Sequence, residues 1–357
     1  MTPDVDGASP AVVRQAISSG EPLPGTRGFA GQVDGALVRD VLGRFPLYHN
    51  ANGGWSTDPT DLAAPTAVPA GHLLEDDESR RLWSLPALAP GTTETSAVRS
   101  ALGAALDRVE PDGLAVAFSG GLDSGILAAR LDTPLYVVGF PDSHDVEAAR
   151  SAADRLGRDL TVVTLDHALL ERVVPKVARV TGRANAMDVS IATPLYCVAE
   201  AAADAGFDRL ALGQGADELY GGYAKVAGAP TDPRVDADTV RGARREMVES
   251  LPDQLPRDVL ATRAAGVEPV APFLDDGVVE AALGLATEDL VSAAGVRKFA
   301  LRRAARQWLP DSLAFREKKA MQYGSLVSRE LDRLARQAGF KRRQDDHVGS
   351  YVASLLD

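Results

Sequence analysis

One cysteine in 357 residues, Cys197, leaves no room for an intramolecular disulfide or a cysteine-based metal cluster. The five histidines (His49, His72, His144, His167 and His347) are scattered, with neither HxxxH nor HExxH spacing, which argues against a transition-metal centre. No apolar run approaches the roughly 18 residues that cross a bilayer. The opening stretch MTPDVDGASPAVVRQ lacks the basic-then-apolar order of a secretory signal, so the expected location is cytoplasmic. Lysine is scarce, with six residues and none before Lys176. At a net charge of −12 and a pI near 5.0, there is no dense basic patch to bind nucleic acid. The acidic, lysine-poor balance suits a salt-rich cytoplasm or follows from base-composition drift in a GC-rich genome; composition does not choose between them.

The chain is 45% hydrophobic and long enough for a full α/β core with a smaller appendage. Residues 1–30 have weak periodicity with several Gly and Pro, and partial disorder is expected there. From 31 to 90 the pattern is short and β-like, cut by turn residues every few positions. LPALAPGTTETS (85–96) reads as a linker. The period then changes. Ser96–Val109 is spaced as a helix, and after it β-branched runs (114–118, 133–140, 159–165) alternate with helical stretches (123–131, 143–157, 167–182). That alternation predicts an α/β fold with a doubly wound, mostly parallel sheet. RLALGQGADELYGGY (209–223) adds a further strand-to-turn junction, and beyond Asp236 the pattern is mostly helical. The expected organisation is therefore a small β-rich part (31–90), a main domain (96–340) and a tail (341–357).

AVAFSGGLDSGILAAR (115–130) places Ser119-Gly120-Gly121 between a strand and a helix. Glycines let the backbone approach an anion, and helix N-terminal amides point toward it. Asp123 would repel phosphate unless a divalent cation lay between them. No GxxxxGK[ST] is present, so this is not the loop of ordinary ATPases. Alone, the stretch also reads as a tight turn with a helix-capping aspartate. A second glycine turn, LGQGADELYGGY, carries Asp217 and Glu218. Asp123 and Asp217, from two strand ends, could share magnesium on the phosphates of a nucleotide.

Here the sequence resembles the asparagine synthetase family, whose ATP-pyrophosphatase loop reads SGG-x-DS. Four segments match in order: FSGGLDS (118–124), GQGADELYGGY (213–223), APFLDDGVVEAA (271–282) and RKFALRRAARQWLPDSLAFREKKAMQYGS (297–325). The resemblance covers roughly 96–330. It implies an adenine nucleotide alpha hydrolase-like fold, cleavage of ATP between the α- and β-phosphates, an acyl-adenylate with pyrophosphate as leaving group, and attack by an amine to form an amide. ATP and Mg2+ are the implied cofactors, and a small-molecule carboxylate with ammonia or an amine the implied substrates. No nucleic acid or membrane partner is expected, and a homodimer is the candidate assembly.

Carried over residue by residue, Ser119, Gly120, Gly121 and Ser124 would hold the pyrophosphate end, with Phe118 also in the nucleotide site and Asp123 and Asp217 on magnesium. Val138 and Gly139, with Gly213, would line the adenine. Lys318 matches the lysine that steadies charge on the α-phosphate, a role suited to a fixed ammonium; Lys319 is its near neighbour. SIATPLY (190–196) resembles the substrate-side segment and otherwise reads as a strand-end turn. Asp275 matches a family aspartate and otherwise reads as a helix cap.

VRDVLGRFPLYHN, with AVPAGHLL after it, resembles the closing part of the family's glutaminase domain. That domain needs cysteine directly after the initiator methionine, where this sequence has Thr2, so 31–90 is expected to be a shortened remnant that packs on the synthetase part without hydrolysing glutamine. Two further departures lie in the synthetase part. Gln214 stands where the family has a glutamate able to take a proton from the attacking amine, which an amide cannot do. Gly125 replaces the last Ser of SGGLDSS. The nucleophile could then be free ammonia, or an amine deprotonated by another group such as Glu218, or the activity could have moved elsewhere. The expected function is an AMP-forming amide ligase using ammonia, with aspartate as the leading acid. Another acid or an internal amine, as in ring-closing relatives, and a non-catalytic ATP-binding relative are the alternatives.

Overall fold

The computed structural model describes residues 5–88, 91–316, 325–343 and 345–356. The chain folds into two compact units that interleave in sequence. One is drawn from Met1–Val109, Gly213–Pro256 and Ala271–Gln307, the other from Glu110–Leu212, Arg257–Val270 and Trp308–Asp357.

The first unit opens with eight short strands: β1 (Val5–Asp6), β2 (Ala30–Val33), β3 (Ala36–Arg39), β4 (Tyr48–His49), β5 (Trp55–Ser56), β6 (Thr66–Ala67), β7 (His72–Glu75) and β8 (Glu78–Arg81). They make an antiparallel sheet ordered β1-β2-β3-β7-β8 and a three-stranded sheet ordered β5-β4-β6. Two-residue turns close the hairpins. Asp34-Gly35 joins β2 to β3 and Asp76-Asp77 joins β7 to β8, all four residues at positive φ, the geometry that matches strand twist. Residues 5–30, where weak periodicity predicts partial disorder, hold β1 and a helix, Pro10–Ser19. That helix is capped by Ser9, whose Oγ accepts from Val12 N–H, and is closed by left-handed Gly20. A two-residue strand is too short to show a period, and the cap residues are the legible signal.

The β-rich part is tied to the helical part of its unit through buried charge. Arg44 donates from Nε to Asp40 (2.8 Å), and from Nη1 to Asp276 (2.6 Å) and the Leu274 carbonyl (2.7 Å). The other Asp276 oxygen accepts from Thr26 N–H at 2.7 Å. Arg39 spends its guanidinium on the carbonyls of Phe45, Gly43 and Val68. The charged residues of VRDVLGRF are thus a buried frame, and breaking such a pair from one side typically costs about 3–5 kcal/mol.

The second unit is the sheet domain. Its strands are β9 (Leu114–Ala117), β10 (Leu135–Gly139), β11 (Leu160–Thr164), β12 (Arg209–Ala211) and β13 (Glu268–Val270), all parallel, in the order β11-β10-β9-β12-β13. Helices Leu122–Arg130 and His144–Leu156 link the first three strands, and Tyr136, Val138, Val173, Val177, Leu195 and Leu210 belong to one buried core. Fold class and the β-rich N-terminal part therefore agree with the sequence. The strand-end turn considered for 190–196 does not form: SIATPLY lies within a 19-residue helix, Ala186–Asp204, capped by Asn185 and carrying Pro194. Residues 192–199 of that helix are all buried, so no polar face marks its period.

Candidate functional site

In an open parallel sheet, ligands sit beyond the carboxyl ends of the strands where the strand order reverses. β9 is that strand, since the chain builds outward from it to β10 and β11 and later to β12 and β13 on its other side. Phe118, buried, donates its N–H to the Tyr136 carbonyl at 2.7 Å and carries the β9 ladder one residue past the strand. The turn Ser119-Gly120-Gly121 follows. Gly120 has φ +70°, and a Cβ there would lie 2.5 Å from the Ala148 carbonyl oxygen and 2.9 Å from the Ala149 Cα. Both backbone hand and close packing demand glycine. Gly121 begins the Leu122–Arg130 helix without a side-chain cap, so its first amides face the loop, the arrangement that binds anions.

Ser124, buried, folds back on the loop. Its Oγ accepts Ser119 N–H at 3.2 Å and lies 3.2 Å from Ser119 Oγ. Asp123 sits in the first helical turn with its Oδ1 shut off from solvent. Gly125, where the family has serine, has a packing reason: a Cβ would come within 3.3 Å of the Leu309 side chain. Val138 and Gly139 end β10. Gly139 too is required by packing, because a Cβ would collide with the Ser143 hydroxyl that caps the His144–Leu156 helix.

The second turn belongs to the other unit and is built from side chains. The chain leaves β12 with Leu212 N–H donating to the Val270 carbonyl at 2.8 Å, and Gly213 opens the first unit's second segment. Left-handed Gly215 and Gly221 bracket a short helix, Ala216–Tyr220, with Gln214 half-buried before it. Asp217 Oδ1 lies 2.8 Å from Lys298 Nζ, and the lysine side chain is 9% exposed against 46% for the aspartate. Lys298 has φ +54°, a left-handed backbone that a non-glycine residue holds at a cost, and it sits at the head of helix Phe299–Ala305. Glu218 is buried and accepts from the Tyr223 hydroxyl. Burial first, then the neighbouring Asp217 charge, push its carboxyl up to about 7; Tyr223 and Lys298 pull the other way.

The loop residues 118–124 and the β10 end, Val138 and Gly139, thus share the sheet unit, while Gly213, Gln214, Asp217 and Glu218 share the other with Lys298 and Tyr223. Lys318 and Lys319 lie outside the described residues. Asp275 is a helix cap: its Oδ1 accepts from Gly277 N–H at 3.1 Å and its Oδ2 from Arg108. Lys298 is the residue that motif reading passed over. The available signal was its type, a lysine inside a matched segment of a chain with only six.

Among the described residues no group of three or more His, Cys, Asp or Glu side chains is placed to hold a metal. Single carboxylates such as Asp123 and Asp217 suit Mg2+ carried by a nucleotide, which takes one or two protein carboxylates and completes its shell with phosphate and water. No helix among the described residues is long and apolar enough to cross a membrane.

The profile of the asparagine synthase family matches residues 97–247 and 227–354. The chain is 31% identical over 268 residues to the putative asparagine synthetase 1 (glutamine-hydrolyzing) of Methanocaldococcus jannaschii, covering 65% of this chain and 49% of that protein. It is 28% identical over 331 residues to asparagine synthetase B (glutamine-hydrolyzing) of Escherichia coli, covering 81% and 58%. A third relative, asparagine synthetase (glutamine-hydrolyzing) of Brassica oleracea, is 26% identical over 335 residues, covering 81% and 55%. The chain spans about half the length of the curated relatives it matches.

Proposed function

The chain belongs to the asparagine synthase family, and on that premise we propose that it is an ATP-dependent amide ligase releasing AMP and pyrophosphate. The observation that supports this reading is the Ser119–Ser124 loop, a glycine-built turn at the reversal point of a parallel sheet, within the matched region. A substrate carboxylate oxygen attacks the α-phosphate of ATP and pyrophosphate leaves; an amine then attacks the acyl carbon and AMP leaves. Aspartate is the acid proposed, by analogy with the asparagine synthetases that the chain resembles. Ser119, Gly120, Gly121 and Ser124 would hold the pyrophosphate end, Val138, Gly139 and Gly213 the adenine, and Lys318 the α-phosphate. Asp123 and Asp217 would hold nucleotide-borne Mg2+, whose charge offsets that of the phosphates.

Free ammonia is the proposed nitrogen source. Cys197, the single thiol, is buried in the Ala186–Asp204 helix, and burial pushes it up to about 12, far from a nucleophilic thiolate. Gln214 cannot accept the proton of the attacking ammonium. Glu218, near 7 and hydrogen-bonded to Tyr223, is the carboxyl in the same turn with a base strength suited to neutral pH. Gln214 also favours a second reading, in which the amine differs from ammonia and brings its own base. Incubation with Mg-ATP and either aspartate plus ammonium or other acids separates the two: aspartate-dependent asparagine supports the first reading, and AMP release only with another acid or amine supports the second. No AMP release with any acid contradicts both.

A further inference from the structure

Arg316 follows the Asp311–Ala314 helix, two residues before Lys318 in the sequence. In the sheet unit its Nη1 donates to the Ala148 carbonyl oxygen at 3.0 Å. That same oxygen is the one a Cβ on Gly120 would meet at 2.5 Å. One carbonyl of the His144–Leu156 helix is therefore close to both the left-handed turn of the loop and the guanidinium. With one further C–C bond of ~1.5 Å, these contacts bound the distance from Arg316 Nη1 to the Gly120 Cα at about 7 Å. That bound keeps the guanidinium in the neighbourhood of the loop.

The chemistry favours a cation there. The loop itself offers only partial charges, from backbone amides and the helix terminus, and it carries the Asp123 carboxylate. A nucleotide's phosphates bring several full negative charges. Arginine carries five N–H donors in a planar fork whose geometry matches phosphate oxygens. Anchoring through Ala148 also limits the rotamer freedom lost when a ligand arrives.

We propose that Arg316 is a phosphate-binding residue of the Ser119–Gly121 loop, acting on the pyrophosphate end of the nucleotide. The inference rests on the reading of that loop as a nucleotide site. A purely structural Arg316, pinning its segment to the helix, would affect all ligands alike. The test is titration calorimetry of the full chain and of Arg316→Gln and Arg316→Lys with Mg-ATP, magnesium pyrophosphate and adenosine, alongside thermal melting. Arg316→Gln is expected to weaken ATP and pyrophosphate binding by about tenfold or more, the loss of one charge-assisted hydrogen bond, while adenosine binds as before. Arg316→Lys, which keeps the charge and loses the fork, should show the same selective loss at a few-fold, and it decides the matter if the glutamine variant does not fold. Unchanged ATP and pyrophosphate affinity, or equal weakening for adenosine, overturns the role of Arg316. Failure of the unaltered protein to bind either ATP or pyrophosphate overturns the nucleotide reading and this inference with it.

Discussion

Two glycine-bounded turns follow neighbouring strands of one sheet, and they are made of different materials. After β9 the turn is backbone and small hydroxyls: left-handed Gly120 pressed on the Ala148 carbonyl, Gly121 opening a helix, and Ser124 closing back on Ser119. After β12 the turn is made of charge and proton donors, with Asp217 on buried Lys298 and Glu218 under the Tyr223 hydroxyl. The first suits holding an anion by shape, since its donors are fixed before the ligand comes. The second suits moving a proton or steadying a cation, because it holds a carboxyl, Glu218, that burial pushes up to about 7. On the proposed function the difference would separate binding from chemistry, and each turn can be damaged in its own way.

The largest effect is expected at Gly120→Ala. A left-handed non-glycine residue costs about 1–3 kcal/mol, and here the methyl also meets the Ala148 carbonyl. ATP affinity measured by calorimetry should fall at least about tenfold, with a lower melting midpoint. Lys298→Met comes next. It leaves Asp217 and Glu218 without their cation, so Glu218 rises further above 7, and AMP formation at pH 7 should fall by about tenfold or more while ATP affinity changes less. Tyr223→Phe removes the donor to the Glu218 carboxyl. The acid limb of the pH–rate profile should move upward by about one unit or less.

Stability should report the second turn independently of activity. The Glu218 carboxyl is raised from its ordinary 4.5 to about 7, so the folded chain keeps a proton that the unfolded chain releases. The stability this contributes is complete below about pH 4.5 and is lost as pH rises through 7. Glu218→Gln should therefore raise the melting midpoint at pH 8 relative to the parent, and do so much less at pH 5. The smallest effect is expected at Cys197, whose thiol should resist iodoacetamide in the native protein, with Cys197→Ala leaving AMP formation unchanged.

The two turns also differ in how much of them could be read from residues alone. The loop after β9 was legible because its chemistry is local, and glycine and serine at fixed spacing are the structure. The second turn was half legible: Asp217 and Glu218 lie in the motif, but Lys298 arrives from a segment far along the chain and Tyr223 reads as an ordinary aromatic. The same physics explains the fold. β10 and β11 are five-residue strands built around Val137-Val138 and Val162-Val163 and announce themselves, whereas β13 is three residues with a proline and has no period to detect. The helix at 186–204 was missed because it is apolar nearly all round, and the frame formed by Arg39, Asp40 and Arg44 shows only in three dimensions.

The central claim, adenylation at the β9 loop, is tested most directly by product analysis. Purified full chain, at low and high KCl, would be incubated with Mg-ATP, aspartate and ammonium, and AMP, ADP and pyrophosphate quantified. The account predicts AMP and pyrophosphate in equal amounts, dependent on the acid, and their loss in Gly120→Ala. ADP with phosphate as the products, or bound ATP that is never cleaved with any acid at either salt concentration, would contradict it.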